Sequence, residues 1–141
     1  MERKGTVAQV LGPVVDVAFP GGMLPEINEA LTVPINGKDQ VMEVAQHVGD
    51  NVVRCIAMAA TDGLVRGADA VDTGEPIKVP VGDECLGRVF NLLGEPVDEQ
   101  PAPENTERWP IHRQAPAFDE QESATEILET GIKVVDLICP Y

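Results

Sequence analysis

From Gly5 to Val81 apolar and polar side chains alternate with a period of two. Val15, Val17 and Phe19 alternate with Asp16 and Ala18; Leu31, Val33 and Ile35 with Thr32 and Pro34; Ile77, Val79 and Val81 with Lys78 and Pro80. Successive side chains of a strand point to opposite faces, so this is the pattern of half-buried strands. Turn-forming residues interrupt it where hairpins reverse. Gly12-Pro13 separates Thr6–Leu11 from Val14–Phe19, Asn36-Gly37 separates Leu31–Ile35 from Val41–His47, and Gly49-Asp50 separates Val41–His47 from Asn51–Met58. With Ile77–Val81 these make about six short antiparallel strands, the spacing of a small closed all-β barrel or sandwich. Pro34 and Pro80 lack the N–H that a ladder needs, which places them at strand ends or on outward-facing sites.

After Gly82 the character of the chain changes. Leu86–Leu93 reads as one further strand, ended by the turn Gly94-Glu95-Pro96. Pro96, Pro101, Pro103, Pro110 and Pro116 then make Gln100–Pro116 an extended connector and not an element. Thr130 is placed to N-cap a short helix through Ile138, with Ile132, Val135 and Ile138 on one face and Pro140 as its stop. Ser123, three residues before Glu126, offers a capping-box start, but Gly131 would then sit mid-helix at a cost of about 1 kcal/mol. The later start is preferred.

The chain's 141 residues suffice for a domain with its own core, and 43% hydrophobic with 24% charged residues is a globular composition. Ten basic against 24 acidic side chains give a net charge of −14, with six against eleven through Gly82 and four against thirteen after it. Such a surface repels polyanions, which argues against nucleic acid and against an anionic membrane leaflet as partners. Cys55, Cys85 and Cys139 form no C-x-x-C pair and are odd in number, which fits a reducing, intracellular compartment. The start, Met1 to Gly5, leads into strand-like sequence without an apolar targeting region, and the longest apolar run, Cys55 to Ala60, is too short to span a bilayer. No membrane insertion is expected.

Candidate chemistry is sparse. Ser123 is the only serine, so there is no G-x-S-x-G elbow. His47 falls in a strand and His112 in the connector, neither with a second ligand at zinc spacing. The doublets Asp83-Glu84, Asp98-Glu99 and Asp119-Glu120 read as solvated loop carboxylates, because a general acid/base pair converges from separate elements. Gly82-Asp-Glu-Cys-Leu-Gly87 has the glycine spacing of a phosphate-binding G-x-x-x-x-G-K-[ST] loop, but Arg88 stands for the lysine, Val89 for the hydroxyl, and Asp83 and Glu84 would oppose phosphate. A pair of turn glycines is the simpler account. No catalytic, cofactor-binding or metal-ligating residue is assigned.

Six phrases, in order along the whole chain, resemble the beginning of the catalytic beta subunit of bacterial F-type ATP synthases: TVAQVLGPVVDVAF, TDGLVRG, DTGEPIKVPVG, LGRVFNLLGEPVDE, IHRQAPAFDEQ and ILETGIKVVDLICPY. PIHRQAPAFDEQ followed by ILETGIKVVDL is similar to beta and unlike the non-catalytic alpha subunit or the vacuolar-type relatives. Departures are Cys139, where that family has Ala, and an acidic, insert-like stretch from Pro103 to Glu107.

The resemblance implies an all-β six-stranded barrel over Met1–Val81, followed over Gly82–Tyr141 by the incomplete opening segment of an α/β P-loop domain. It further implies a parent subunit of an ion-translocating rotary ATP synthase, which makes ATP from ADP and phosphate using a transmembrane gradient of protons or sodium ions. ATP, ADP and magnesium are cofactors of that parent. The family's phosphate loop, general-base carboxylate, adenine pocket and helical C-terminal domain all follow "KVVDLICPY", so these 141 residues are expected to be a fragment with no catalytic, cofactor or metal residue of its own. Its implied partners are alpha subunits in an alternating hexameric ring, with the central stalk reached only through the missing C-terminal part. Its implied location is peripheral, on the cytoplasmic face of a bacterial cell membrane. Two other readings share the same residues: the barrel of a non-catalytic paralogue, such as an alpha subunit or a flagellar export ATPase, and a free-standing interaction barrel unrelated to ATP.

Overall fold

The computed structural model describes residues 3–104, 106–121 and 126–141. Strands β1 (Lys4–Leu11), β2 (Val14–Ala18), β3 (Glu29–Ile35), β4 (Lys38–Gly49), β5 (Val52–Ala57) and β6 (Asp69–Pro76) form a closed barrel in the order β1-β2-β5-β4-β3-β6. Every pairing is antiparallel, and β6 returns to β1 to complete the circle. Three pairings are hairpins. The Asn36-Gly37 turn has φ of 51° and 76°, the left-handed pair that matches the twist of the flanking strands. The next hairpin reverses one residue later than Gly49-Asp50 suggests: Gly49 pairs with Val52, and Asp50 and Asn51 take the positive φ values, 49° and 61°. Short polar side chains tolerate that region, so no glycine is required there.

The inward positions are Val7, Val15, Val17, Leu31, Val33, Ile35, Met42, Val44, Val53, Cys55 and Ala70, joined by Phe19, and all are buried. Leu24 packs on this core from the loop after β2, at one end of the barrel, and Leu64 packs on it from the loop after β5, at the other. Hydrogen bonds hold both loops down, Asn28 N donating to Val44 O (2.8 Å) and Thr61 Oγ1 to Gly12 O (2.8 Å). Side chains therefore fill the interior, as in other small barrels.

The sixth barrel strand is Asp69–Pro76 and not residues 77–81. Its sequence, DAVDTGEP, offers little alternation because its inward positions are Ala70 and a buried Asp72. Burial of that carboxylate depends on Arg3, whose Nε lies 2.5 Å from Asp72 Oδ2. The well-patterned stretch that follows leaves the barrel: β7 (Lys78–Val81) pairs with β8 (Glu107–Pro110) in a two-stranded ribbon. Thus the proline-rich connector does contain a strand, with Val79 opposite Trp109. Pro34 is exposed on the outer face of β3, whereas Pro80 is buried within the ribbon.

Residues 86–93 are not a strand. They form turns with a single bridge between Phe90 and Pro96, preceded by a short 3-10 turn over Asp83–Cys85. The amide oxygen of Asn91 accepts from the N–H of both Leu93 and Glu95 (2.9 Å each), and this side-chain bonding competes with the extended ladder. Another 3-10 turn spans Phe118–Glu120. The helix, α1, covers Lys133–Ile138, with Ile132 and not Thr130 at its cap. Thr130 Oγ1 accepts from Ile132 N (3.1 Å) and donates to Asp136 Oδ1 (2.6 Å), so it braces the entry loop instead of starting the helix. The Thr130 hydroxyl, with the Thr130 and Gly131 N–H groups, holds the Asp136 carboxyl below the usual carboxylate range. The alternative start at Ser123 lies outside the described residues.

Cys55 faces the barrel core, and burial, reinforced by the negative charge of Asp16, pushes its thiol up to about 12. Cys85 is partly exposed and Cys139 is exposed. A thiol reagent at pH 8 is therefore expected to modify two sites rapidly in the folded protein and the third only on unfolding. Three equally fast sites would contradict the packing of β5. Since the unfolded thiol ionises near pH 8.5 and the folded one near 12, the thiol's contribution to stability is complete below the first value and is lost as pH rises toward the second.

Candidate interaction surface

A closed barrel has no free strand edge, so sheet-edge pairing is unavailable and any partner must meet an outer face or an end. The register defines these faces. On the outside of β1, β2 and β5, Leu11 stands opposite Val14 and Val14 opposite Ile56. Leu11 is 57% exposed and Ile56 45% exposed, with Val14 half-buried between them. The adjacent row is Gln9, Asp16, Arg54 and Gln46. In it Arg54 grips Asp16 with two hydrogen bonds, Nε to Oδ1 at 2.8 Å and Nη2 to Oδ2 at 2.9 Å. The Arg54 hydrogen bonds hold the Asp16 carboxyl below its ordinary value against the opposing effect of burial. The pair's contribution is therefore complete above about pH 4 and is lost as pH falls through the lowered folded value.

The outside of β3, β4 and β6 is covered by the chain's own continuation. Val41, Thr73 and Pro76 share an open cleft with Ile77, Leu93 and Arg108, and His112 Nε2 meets Glu43 Oε2 at 2.9 Å. Arg108 Nη2 donates to the carbonyls of Lys78 (2.9 Å) and Leu93 (3.2 Å), tying the ribbon to the turns before it.

The residues singled out in the sequence do not converge. Gly82 and Gly87 both have positive φ, 113° and 72°, and the segment between them is a single 3-10 turn with its two carboxylates at the front. Arg88, in the lysine position of the glycine pattern, is bound to Asp98 by Nε–Oδ2 (2.6 Å) and Nη2–Oδ1 (3.1 Å) and also donates to Pro101 O. The pattern does not fit a nucleotide phosphate. This contact corrects the reading of Asp98 as a solvated carboxylate: Arg88, helped by the N–H groups of Val89 and Gln100, holds it well below the usual carboxylate range. Asp83, Glu84, Asp119 and Glu120 are exposed. His47 Nε2 contacts Pro25 O (2.8 Å), whereas His112 Nε2 meets Glu43 Oε2, so the two histidines have separate partners. Among the described residues no group of three or more His, Cys, Asp or Glu side chains could hold a metal ion, and no helix is long and apolar enough to cross a membrane. The outward row Leu11, Val14 and Ile56 escaped the sequence reading because Val14 and Ile56 sit one residue out of phase with their strands' core positions, while Leu11, in phase with Val7, is turned outward by the irregularity between Val7 and Gln9; only the register aligns the three.

Side chains fill the interior of the six-stranded barrel, so any partner or ligand would meet its outer wall or an end and not its lumen. Residues 7–74 match the family model for the beta-barrel domain of the ATP synthase alpha/beta family. Over these residues the barrel is similar to the domain that the family model describes. The matched span runs from within β1 into β6 and thus covers the barrel and not the ribbon, turns and helix after it.

Proposed function

We propose that this chain is the N-terminal part of a catalytic beta subunit of a bacterial F-type ATP synthase, and that its barrel serves assembly of a hexameric ring with alternating alpha subunits. The observation that carries the reading is the family barrel followed, in the same chain, by the phrases PIHRQAPAFDEQ and ILETGIKVVDL. The exposed apolar side chains after the barrel support it: Leu86, Phe118, Leu137 and Ile138 are 76–91% exposed, as expected of an opening segment that packs on the parallel sheet of a nucleotide-binding domain. In the parent, residues beyond these 141 would hold ATP or ADP with magnesium and contact the central stalk. The subunit would lie peripherally on the cytoplasmic face of the membrane, driven by the ion gradient.

Calorimetric titration with magnesium-ATP tests this. Phosphate binding in this class uses a glycine-rich loop at a helix N-terminus, an ammonium group and a magnesium-bound hydroxyl. The Gly82–Gly87 turn supplies none of these. The present chain is expected to show no binding tighter than about 1 mM, roughly −4 kcal/mol, while the chain extended through a P-loop domain binds and, in a ring with its partner, hydrolyses ATP. Binding by the extended chain without hydrolysis in the ring would favour a non-catalytic subunit. Silence from the extended chain would favour an interaction barrel unrelated to ATP.

A further inference from the structure

We infer that Asn36, at the tip of the β3–β4 hairpin, is a site of spontaneous covalent modification, its side-chain amide being converted to a carboxylate through a cyclic imide closed by the Gly37 nitrogen. The inference is independent of the ring-assembly reading. In the first step a bond forms between Gly37 N and Asn36 Cγ, the Cγ–Nδ2 bond breaks, the Gly37 proton passes to solvent and Nδ2 leaves as ammonia. Water then opens the imide, its hydroxyl joining the carbon attacked and its proton returning to Gly37 N. Opening at the side-chain carbonyl gives aspartate, and opening at the main-chain carbonyl gives isoaspartate.

The structure selects this asparagine among those described. The nucleophile is free, because the Gly37 N–H makes no hydrogen bond among the described residues. Nothing lies within 4 Å of where a Cβ on Gly37 would stand, so the peptide unit between the two residues can turn toward the side chain without collision, and Asn36 itself is exposed. The amide under attack is held only by Nδ2 donating to Asp62 O at 3.5 Å, the outer limit of a hydrogen bond. At the other asparagines the reacting groups are engaged. Glu29 N, after Asn28, donates to Glu26 O (3.2 Å), and Val52, after Asn51, is branched at Cβ and belongs to the β5 ladder. Asn91 is pinned by its bond to Glu95 Oε2 (2.8 Å) and by the N–H groups of Leu93 and Glu95.

The product disturbs what Asn36 now joins. Its Nδ2 links the hairpin tip to the loop after β5, the loop that carries Leu64 onto the barrel core. A carboxylate there presents an acceptor to the Asp62 carbonyl and adds a negative charge next to Asp62, in a chain already at −14. Isoaspartate also lengthens the main chain of a two-residue turn whose register sets Ile35 opposite Lys38. The loop at this end of the barrel is expected to loosen while the strands stay paired.

The test ages the full chain, folded, at mildly alkaline pH and follows by mass and fragmentation the tryptic peptide Gly5–Lys38, which holds both Asn28 and Asn36. Asn36 is expected to exchange its amide for an acid at least about tenfold faster than Asn28, Asn51 or Asn91, as a mixture of aspartate and isoaspartate. A rate at Asn36 no higher than at those three would overturn the site. Asn36→Asp supplies the charge at once, and Asn36→Gly, which accepts the positive φ of 51°, removes the amide without adding charge. Amide hydrogen exchange over residues 58–68 is expected to be fastest in Asn36→Asp, intermediate in Asn36→Gly and slowest in the wild type, with the barrel strands alike in all three. Wild-type exchange of that loop in Asn36→Asp would overturn the consequence drawn for the barrel end.

Discussion

Arg3→Ala is expected to destabilise the protein by about 2–3 kcal/mol, a large effect for a residue at the margin of the first strand. Asp72, in β6, has a side chain with no solvent exposure, and its Oδ2 lies 2.5 Å from Arg3 Nε without an aligned hydrogen bond, so its compensation is mainly coulombic. The same guanidinium reaches Glu29 Oε2 at 3.1 Å, at the start of β3, and the Leu24 carbonyl at 3.3 Å. Arg3 O also accepts from Asp72 N (2.9 Å). One residue thus ties β1, β3, β6 and the loop over one end of the barrel, at the seam where β6 meets β1. Removing it leaves a buried carboxylate without a cation, which in a fully buried pair costs about 3–5 kcal/mol; the figure is reduced here because Arg3 is 30% exposed and water can enter. Thermal unfolding should fall by roughly 10–20 °C for a domain of this size. Adding Asp72→Asn to the Arg3→Ala background removes the lone charge and should restore part of the loss. A loss under about 0.5 kcal/mol for Arg3→Ala would show that Asp72 finds solvent without help.

Gly5→Ala is expected to destabilise by about 1–3 kcal/mol, opposite in sign to the usual effect of that change. In an unconstrained strand, alanine restricts the unfolded chain and stabilises by about 0.4–1 kcal/mol. Here a Cβ on Gly5 would lie 2.7 Å from Val17 Cγ1 and 2.8 Å from the ring of Phe19. Both neighbours are buried, Val17 completely, so neither can swing into solvent. Gly5 pairs with Ala70 in the closing β1–β6 ladder, and the small side chains at this seam let Phe19 fill the space between β1 and β6. Chemical denaturation of Gly5→Ala would decide it, and a midpoint above that of the wild type would mean that the seam is looser than the structure shows. Phe19→Leu in the same background should relieve the clash and recover part of the loss.

Five of the six barrel strands were legible in the sequence because the period-two pattern and the short turns are local properties. Asn36-Gly37 is an example: two adjacent residues that accept positive φ suffice to reverse the chain, whatever surrounds them. The sixth strand was misread for a physical reason. Residues 77–81 alternate cleanly, yet alternation records only that one face is covered; in the structure the ribbon provides the cover and the barrel does not. Asp69–Pro76 looks like a loop, with Gly74, Pro76 and acidic residues, and becomes a strand by pairing with the distant β1 and β3, with Arg3 neutralising its buried Asp72. Strand β8 was hidden among prolines for a similar reason, since its partner lies far upstream in β7.

The sequence by itself determined the all-β character of the first part, the positions of most turns, the acidic surface and the poor fit of Gly82–Gly87 to a phosphate, because each depends on the order and type of neighbouring residues. Tertiary structure alone decided which strands pair across the barrel, that β6 closes it, that Arg88 is taken by Asp98, and that Leu11, Val14 and Ile56 align on one outer face. Those outcomes join residues from distant parts of the chain, and the free energy that selects them, burial of one shared core with compensation of Asp72, exists only once the strands have come together.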